Sequence, residues 1–156
     1  MLKELSEIID KPARIKKEIF IKYEKLEECR RLAAMPQSIS YDSPRVKASG
    51  SGSRQEKYAE RAERILQEIS ALQRQRFYAL EDCERLFSCP ALTRDEKSVM
   101  IRRYMEGKSY PDIAADLDTS ERMIYLWRKR AVEKLEKIIT RDAAEKENAD
   151  NTADQK

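Results

Sequence analysis

A periodic series of apolar and small side chains between residues 54 and 88 restricts the fold of this chain more than any other feature. The spacing alternates between four and three residues: Tyr58, Ala62, Ile65, Ile69, Leu72, Ala79, Cys83 and Leu86. Arg76 is the one break in the series. This alternation predicts a helix with one apolar stripe, the seam of a coiled coil. Because an apolar stripe is unstable in water, the helix requires a partner.

A weaker series with the same spacing occurs in residues 2–35, which favour a helix interrupted by Pro12. Its members are Ile15, Ile19, Leu26, Cys29 and Ala33, with Lys22 in the vacant position. The segment between the two helices, PQSISYDSPRVKASGSGS at 36–53, has the composition of a flexible loop. We therefore assign residues 1–92 to a coiled-coil helical region. Its helices form an antiparallel hairpin or pair between subunits of a homo-oligomer.

The composition favours long solvated helices and excludes several classes of function. Charged residues make up 39% of the chain and aromatic residues 7%, and runs with strand periodicity are absent, which predicts an all-α fold. The chain has no histidine, no paired cysteine motif and no glycine-rich phosphate loop. We therefore expect no enzyme, no bound metal and no cofactor. No apolar stretch is long enough for a membrane span or a signal core, so we expect a cytoplasmic protein.

Residues 93–140 carry the start and stop signals of three shorter helices. Thr93 and Glu96 fit a capping box at the first helix, which ends at Gly107. Ser109 caps the second helix, with Pro111 in its first turn. Ser120 caps the third, which we expect to run from Glu121 to about Ile139.

The spacing between the second and third helices predicts a helix-turn-helix. Ala114 lies four residues before Asp118, and the β-branched Ile124 lies six residues after it. Two helices that cross steeply need a small residue at the crossing and a turn residue that accepts positive φ. Asp tolerates that region because its side chain is short and polar. Four residues then face inwards: Ile113, Leu117, Ile124 and Trp127.

The third helix is predicted to enter the major groove of DNA with its N-terminal residues. The predicted DNA-binding residues are its cap and its outward positions: Ser120, Glu121, Arg122, Tyr125, Arg128 and Lys129. Further basic residues, Arg130, Lys134, Lys137 and Arg141, continue along the helix. The basic excess in 93–141 is small, 12 Lys and Arg against 9 Asp and Glu, so a dimer or partner should add affinity. Residues 141–156 are predicted to be a disordered tail.

The segment RRYMEGKSYPDIAADLDTSERMIYLWRKRAVEKL closely resembles region 4 of sigma factors. The matching positions are Arg103-Tyr104, Glu106-Gly107, Ser109-Tyr110, Ile113-Ala114, Ser120, Arg130-Ala131 and Leu135. Two departures are Pro111-Asp112 in place of the usual acidic pair, and Asp118 in place of the usual turn glycine. The whole layout is similar to the ArpU/RinA-like late transcription regulators of bacteriophages of Gram-positive bacteria. This resemblance implies a phage-encoded activator that works with RNA polymerase on double-stranded DNA in the bacterial host cell.

The sequence leaves two alternative functions open. A phage terminase small subunit also combines a helix-turn-helix with a coiled coil and recognises packaging-site DNA, although such subunits usually place the DNA-binding unit first. The second alternative is an interaction protein that binds polymerase through its similarity to region 4 and does not bind DNA.

Overall fold

The structure, a computed structural model, describes residues 1–35 and 54–153, with side chains through residue 144. Within these residues the helices are α1 (Lys3–Ala34), α2 (Arg54–Phe87), α3 (Arg94–Met100), α4 (Tyr110–Asp116) and α5 (Glu121–Ala153). A π-helical segment, Ile101–Met105, continues directly from α3. The described residues contain no strand, which confirms the predicted all-α fold. The predicted loop at 36–53 lies outside the described residues.

The chain forms two compact units, which we call the larger unit (1–14 and 76–156) and the smaller unit (15–75). This division differs from the sequence-based boundary at residue 92, because the start of α1 and the end of α2 pack with the C-terminal helices. α1 is one continuous helix through Pro12, where the sequence indicated an interruption. No helix in residues 1–35 and 54–153 has the length and apolar character needed to cross a membrane.

In the smaller unit, the seam residues of the two long helices pack against each other within one chain. The core consists of Leu26, Cys29, Ile65 and Ile69, with Ile19 and Ala62 partly buried against it. Lys22, which fills the vacant position of the first series, forms an ion pair with Glu68 of α2. Four buried and two partly buried residues of the predicted seams therefore have partners on the other long helix of the same chain.

The core of the larger unit joins residues that are far apart in the sequence. Its buried members are Leu5, Ile9, Cys83, Phe87, Leu92, Met100, Ala131, Val132 and Leu135. The first turns of α1 thus pack in the same cluster as the middle of α5. Burial raises the pKa of the Cys83 thiol to about 11, and its Sγ lies 3.5 Å from the carbonyl oxygen of Ile8. Arg76, the break in the α2 seam, is partly buried, and its Nε makes no hydrogen bond within the described residues.

A second cluster of the larger unit is the core of the helix-turn-helix. Val99, Ile113, Ala114 and Ile124 are buried, and Tyr110, Leu117 and Trp127 pack against them. The four residues predicted to face inwards all belong to this cluster. Asp118 has a φ of 46°, and the amide of Thr119 donates to the carbonyl of Ala114 at 3.0 Å. The predicted turn is therefore present at the predicted residue.

The predicted capping residues begin and end the helices as expected. Thr93 and Glu96 form the reciprocal capping box of α3, and Gly107 has a φ of 78°. Ser109 caps α4 and, beyond the prediction, forms a second capping box with Asp112. At α5, the amide of Met123 donates to Oγ of Ser120 at 3.4 Å.

The last helix is longer than the sequence indicated. α5 continues past the predicted end near Ile139 to Ala153, 33 residues in all. Residues 141–153 are therefore helical in the structure, where the sequence predicted a disordered tail. The residues after Thr140 include Ala and Glu, which are good helix formers, so their polarity alone was a poor guide to their conformation.

Substituting Asp118 with Gly should stabilise the larger unit by about 0.5–1 kcal/mol, because Gly accepts a positive φ without steric cost. Asp118→Ala should destabilise it, since Ala keeps the Cβ atom but loses the polar side chain that tolerates this region. Urea unfolding followed by the fluorescence of Trp127, the one Trp of the chain, measures both effects. A Gly variant less stable than the original protein would contradict the assignment of strain to this turn.

Candidate nucleic-acid interface

The first turns of α5 expose most of the predicted DNA-binding residues on one side. Ser120, Glu121, Arg122 and Lys129 are exposed, and Tyr125 is 51% exposed. Ile124, on the opposite side of the helix, is fully buried in the helix-turn-helix core. The helix is thus held by its inner face while its outer face is open to a ligand.

The chemistry of the exposed side chains suits the edges of base pairs. The guanidinium of Arg122 can donate two parallel hydrogen bonds to guanine, and the carboxylate of Glu121 can accept from the amino group of cytosine. The amide groups of the first turn of a helix, together with its dipole, favour a phosphate nearby. Lys129, two turns further along the helix, can reach the DNA backbone. Its ion pair with Glu133 is 4.0 Å long and exposed, and so is weak.

Tyr125 is held by an aromatic contact that the sequence did not reveal. Its ring centroid lies 4.4 Å from that of Tyr110, at an interplanar angle of 40°. The guanidinium of Arg103 lies 4.6 Å from the centroid of Tyr110, and its Nη1 donates to the carbonyl of Lys108 at 2.9 Å. These contacts join the π-helical segment, α4 and α5. Helical periodicity describes one helix at a time, so it carried no signal for them.

Arg128 occupies a different environment from the other predicted DNA-binding residues. It is half-buried, and its Nε donates to the hydroxyl of Tyr104 at 2.8 Å. Burial, the largest single effect, disfavours its charge, but the hydrogen bond to Tyr104 and the electrostatic interactions with neighbouring side chains together outweigh it and raise the pKa of Arg128. Burial raises the pKa of the Tyr104 hydroxyl. Arg128 stays a predicted DNA contact, but it also joins α5 to the π-helical segment. A variant of Arg128 would therefore disturb both roles.

Ion pairs compensate several basic residues near the exposed helix. Asp116 binds Arg102 at 2.9 Å and Lys108 at 2.7 Å, and Glu106 binds Lys108 at 3.2 Å. The hydrogen bond from Lys108 lowers the pKa of Asp116, and the same bond raises the pKa of Lys108. The group is exposed, so it adds little stability. Its two basic and two acidic side chains nevertheless cancel, so the group adds no net charge to this part of the unit.

Lys134 serves the fold, although the sequence placed it among the basic residues that follow DNA. Its Nζ lies 2.9 and 2.7 Å from the two carboxylate oxygens of Glu96, which is 2% exposed. Glu96 also accepts from the backbone amide of Thr93 at 2.8 Å. Burial tends to raise the pKa of Glu96, but the bonds from Lys134 and Thr93 prevail and lower it. This carboxylate therefore ties the start of α3 to α5.

Residues 90–135 match the family model described as Sigma-70, region 4. The matched segment begins just before the Thr93 cap and ends within α5, so it contains both helices of the turn and all the predicted DNA-binding residues. This part of the chain is a sigma region 4-like helix-turn-helix. The match supports DNA binding and transcription regulation as its general role. It covers less than a third of the chain. No curated protein and no solved structure matches the chain.

Proposed function

We propose that this protein is a sequence-specific DNA-binding transcription regulator that activates late genes of a phage or prophage. In this proposal it acts in the bacterial cytoplasm, at promoters, together with RNA polymerase, and has no enzymatic activity. The observation that carries the DNA-binding step is the open outer face of α5, with Arg122 and Glu121 exposed in its first turn, inside a sigma region 4-like unit.

Each exposed residue has a distinct task in the proposal. Arg122 and Glu121 read base edges in the major groove, and Tyr125 presents its ring or hydroxyl at an angle set by Tyr110. Lys129 and the N-terminal amides of α5 contact phosphates. Because the compensated ion pairs leave a small basic excess, non-specific binding should be weak, and base contacts should supply most of the preference between sequences.

Selection from a randomised duplex library tests the proposal and identifies the operator in the same experiment. The original protein should enrich one sequence motif. Arg122→Ala should weaken binding to that motif by about 1–3 kcal/mol and relax the choice of base at one position. The matched control is Arg85→Ala, which removes the same charge from an exposed position of α2 in the same unit and should leave the motif unchanged. No enriched motif, or an equal loss in both variants, would refute the recognition role.

The two alternatives predict different partners. Co-purification from infected cells should recover RNA polymerase if the protein is a promoter regulator. Recovery of the large terminase subunit, with enrichment of packaging-site DNA, would favour the terminase small subunit instead. Binding of polymerase that is unchanged by Arg122→Ala, without any enriched DNA motif, would favour the DNA-independent interaction protein.

A further inference from the structure

Five large apolar side chains among the described residues of the smaller unit are exposed outside the seam: Phe20, Ile21, Tyr23, Met35 and Leu66. Three of them, Phe20, Tyr23 and Leu66, lie on one side of the helical pair, and Phe20 is 63% exposed. The core of the smaller unit is already filled by other residues, so none of the three is needed to close the helical pair. A single exposed apolar residue is ordinary, but several on one side indicate a surface that binds something.

The three residues share one flank of the helical pair. Nε2 of Gln73 lies 3.4 Å from the hydroxyl of Tyr23, so these two positions of α2 and α1 lie on the same side. Phe20 is one helical turn before Tyr23, and Leu66 is two turns before Gln73, so both belong to that side as well. We call the surface formed by Phe20, Tyr23 and Leu66 the aromatic flank.

The α1 part of the aromatic flank is complementary to itself. Along this side of α1 the exposed residues are Lys16, Phe20, Tyr23 and Glu27, spaced by four, three and four positions. In an antiparallel pair of α1 helices related by a two-fold axis, Phe20 lies opposite Tyr23 of the second copy. The same axis places Lys16 of each copy opposite Glu27 of the other copy, which gives two such pairs. Opposite charges thus flank two aromatic contacts. The surface is therefore complementary to itself, as a two-fold symmetric interface requires.

We propose that the aromatic flank is the interface of a homodimer in which two α1 helices pair antiparallel. The complementary order of charges in α1 selects a second copy of this chain as the occupant. From Lys16 to Glu27 the helix is about 17 Å long, so the contact is small and the dimer should dissociate on dilution. This proposal does not depend on DNA binding. A dimer would supply the second set of phosphate contacts that one weakly basic unit lacks.

Charge reversal combined with analytical ultracentrifugation of the full-length protein over a concentration series tests the pairing. Lys16→Glu places two like-charged pairs in the interface and should weaken the dimer by about tenfold, as should Glu27→Lys. The double variant Lys16→Glu/Glu27→Lys restores both attractions and should return the dissociation constant to within about threefold of the original. Phe20→Ala should also weaken the dimer by about tenfold or more, because it removes a central aromatic contact.

The matched control is Lys25→Glu, which makes the same charge change at an exposed position on the side of α1 away from the flank. It should leave the dimer unchanged. Circular dichroism of each variant checks that the helices are intact, since Glu27 also forms an exposed ion pair with Arg30. A protein that stays monomeric at all concentrations would overturn the proposal. So would a well-folded double variant as weak as the single ones, or an equal loss in Lys25→Glu.

Discussion

Phe87→Ala should destabilise the larger unit by about 3–5 kcal/mol, the cost of truncating a fully buried aromatic side chain. Phe87 is 1% exposed at the end of α2, and the centroid of its ring lies 6.3 Å from that of the Tyr104 ring. It belongs to the cluster in which α1, α2 and α5 meet, so the cavity would touch all three helices. Urea unfolding monitored by the fluorescence of Trp127 measures the loss, because this Trp lies in the helix-turn-helix core of the same unit.

The same chemical change at Phe77 is the control for this prediction. Phe77 lies ten residues earlier in α2 and is 58% exposed, so Phe77→Ala should change stability by no more than about 0.5 kcal/mol. Similar losses in the two variants would show that Phe87 is not a core residue. A large loss of stability for Phe87→Ala, measured by the fluorescence of Trp127, would show that the end of α2 and the helix-turn-helix unfold together.

Lys134→Met should destabilise the larger unit by about 1–3 kcal/mol, because it leaves the carboxylate of Glu96 buried without its cation. The expected loss of stability is smaller than for a fully buried ion pair, because the side chain of Lys134 is 37% exposed and water partly screens its charge. Lys137→Met, an exposed position on the same helix, is the control and should have little effect. The double variant Glu96→Gln/Lys134→Met should be more stable than Lys134→Met alone, since it removes the uncompensated charge. An equal loss in the double variant would contradict this explanation.

The Glu96–Lys134 pair should also be visible in the dependence of stability on pH. The folded protein lowers the pKa of Glu96 below its ordinary value of 4.5, so the folded state binds this proton more weakly than the unfolded state does. The contribution of Glu96 is therefore complete above pH 4.5 and is lost as the pH falls through and below that value. In Lys134→Met the cation that lowers the pKa of Glu96 is gone while burial still raises it, so the stability that is lost below pH 4.5 should be smaller than in the original protein. Denaturation curves across this range in both proteins provide the measurement.

The sequence predicted the helix-turn-helix closely because its determinants are local. A cap, a turn residue and the residues that close the crossing all lie within a few positions of one another, as Thr93, Gly107 and Asp118 illustrate. Each acts through its own backbone or through a neighbour three or four residues away. The spacing of Ala114 and Ile124 around Asp118 therefore carried enough information to place the turn. The exposed side of α5 followed from helical periodicity in the same way.

The features that the sequence did not reveal depend on contacts between distant residues. Leu5 and Ile9 pack in the same core as Leu135, and no pattern within α1 indicates that partner. Arg128 points outwards on an isolated helix, but Tyr104 of the π-helical segment lies close enough to accept its hydrogen bond. The widened turn at Ile101–Met105, which sets the position of Tyr104, has no signal in the apolar spacing. The sequence therefore predicted which face of α5 is exposed better than it predicted the contacts that each residue on that face makes.

The packing of the first turns of α1 in the same core as the middle of α5 has a thermodynamic consequence. A ligand that binds only the folded state stabilises every part that unfolds with its site. DNA bound at the first turns of α5 should therefore slow hydrogen exchange at the backbone amides near Leu5 and Ile9, which belong to the same cluster as Leu135 but are not predicted to contact DNA. The N-terminal amides of this chain would then report occupancy of a site more than a hundred residues away in the sequence.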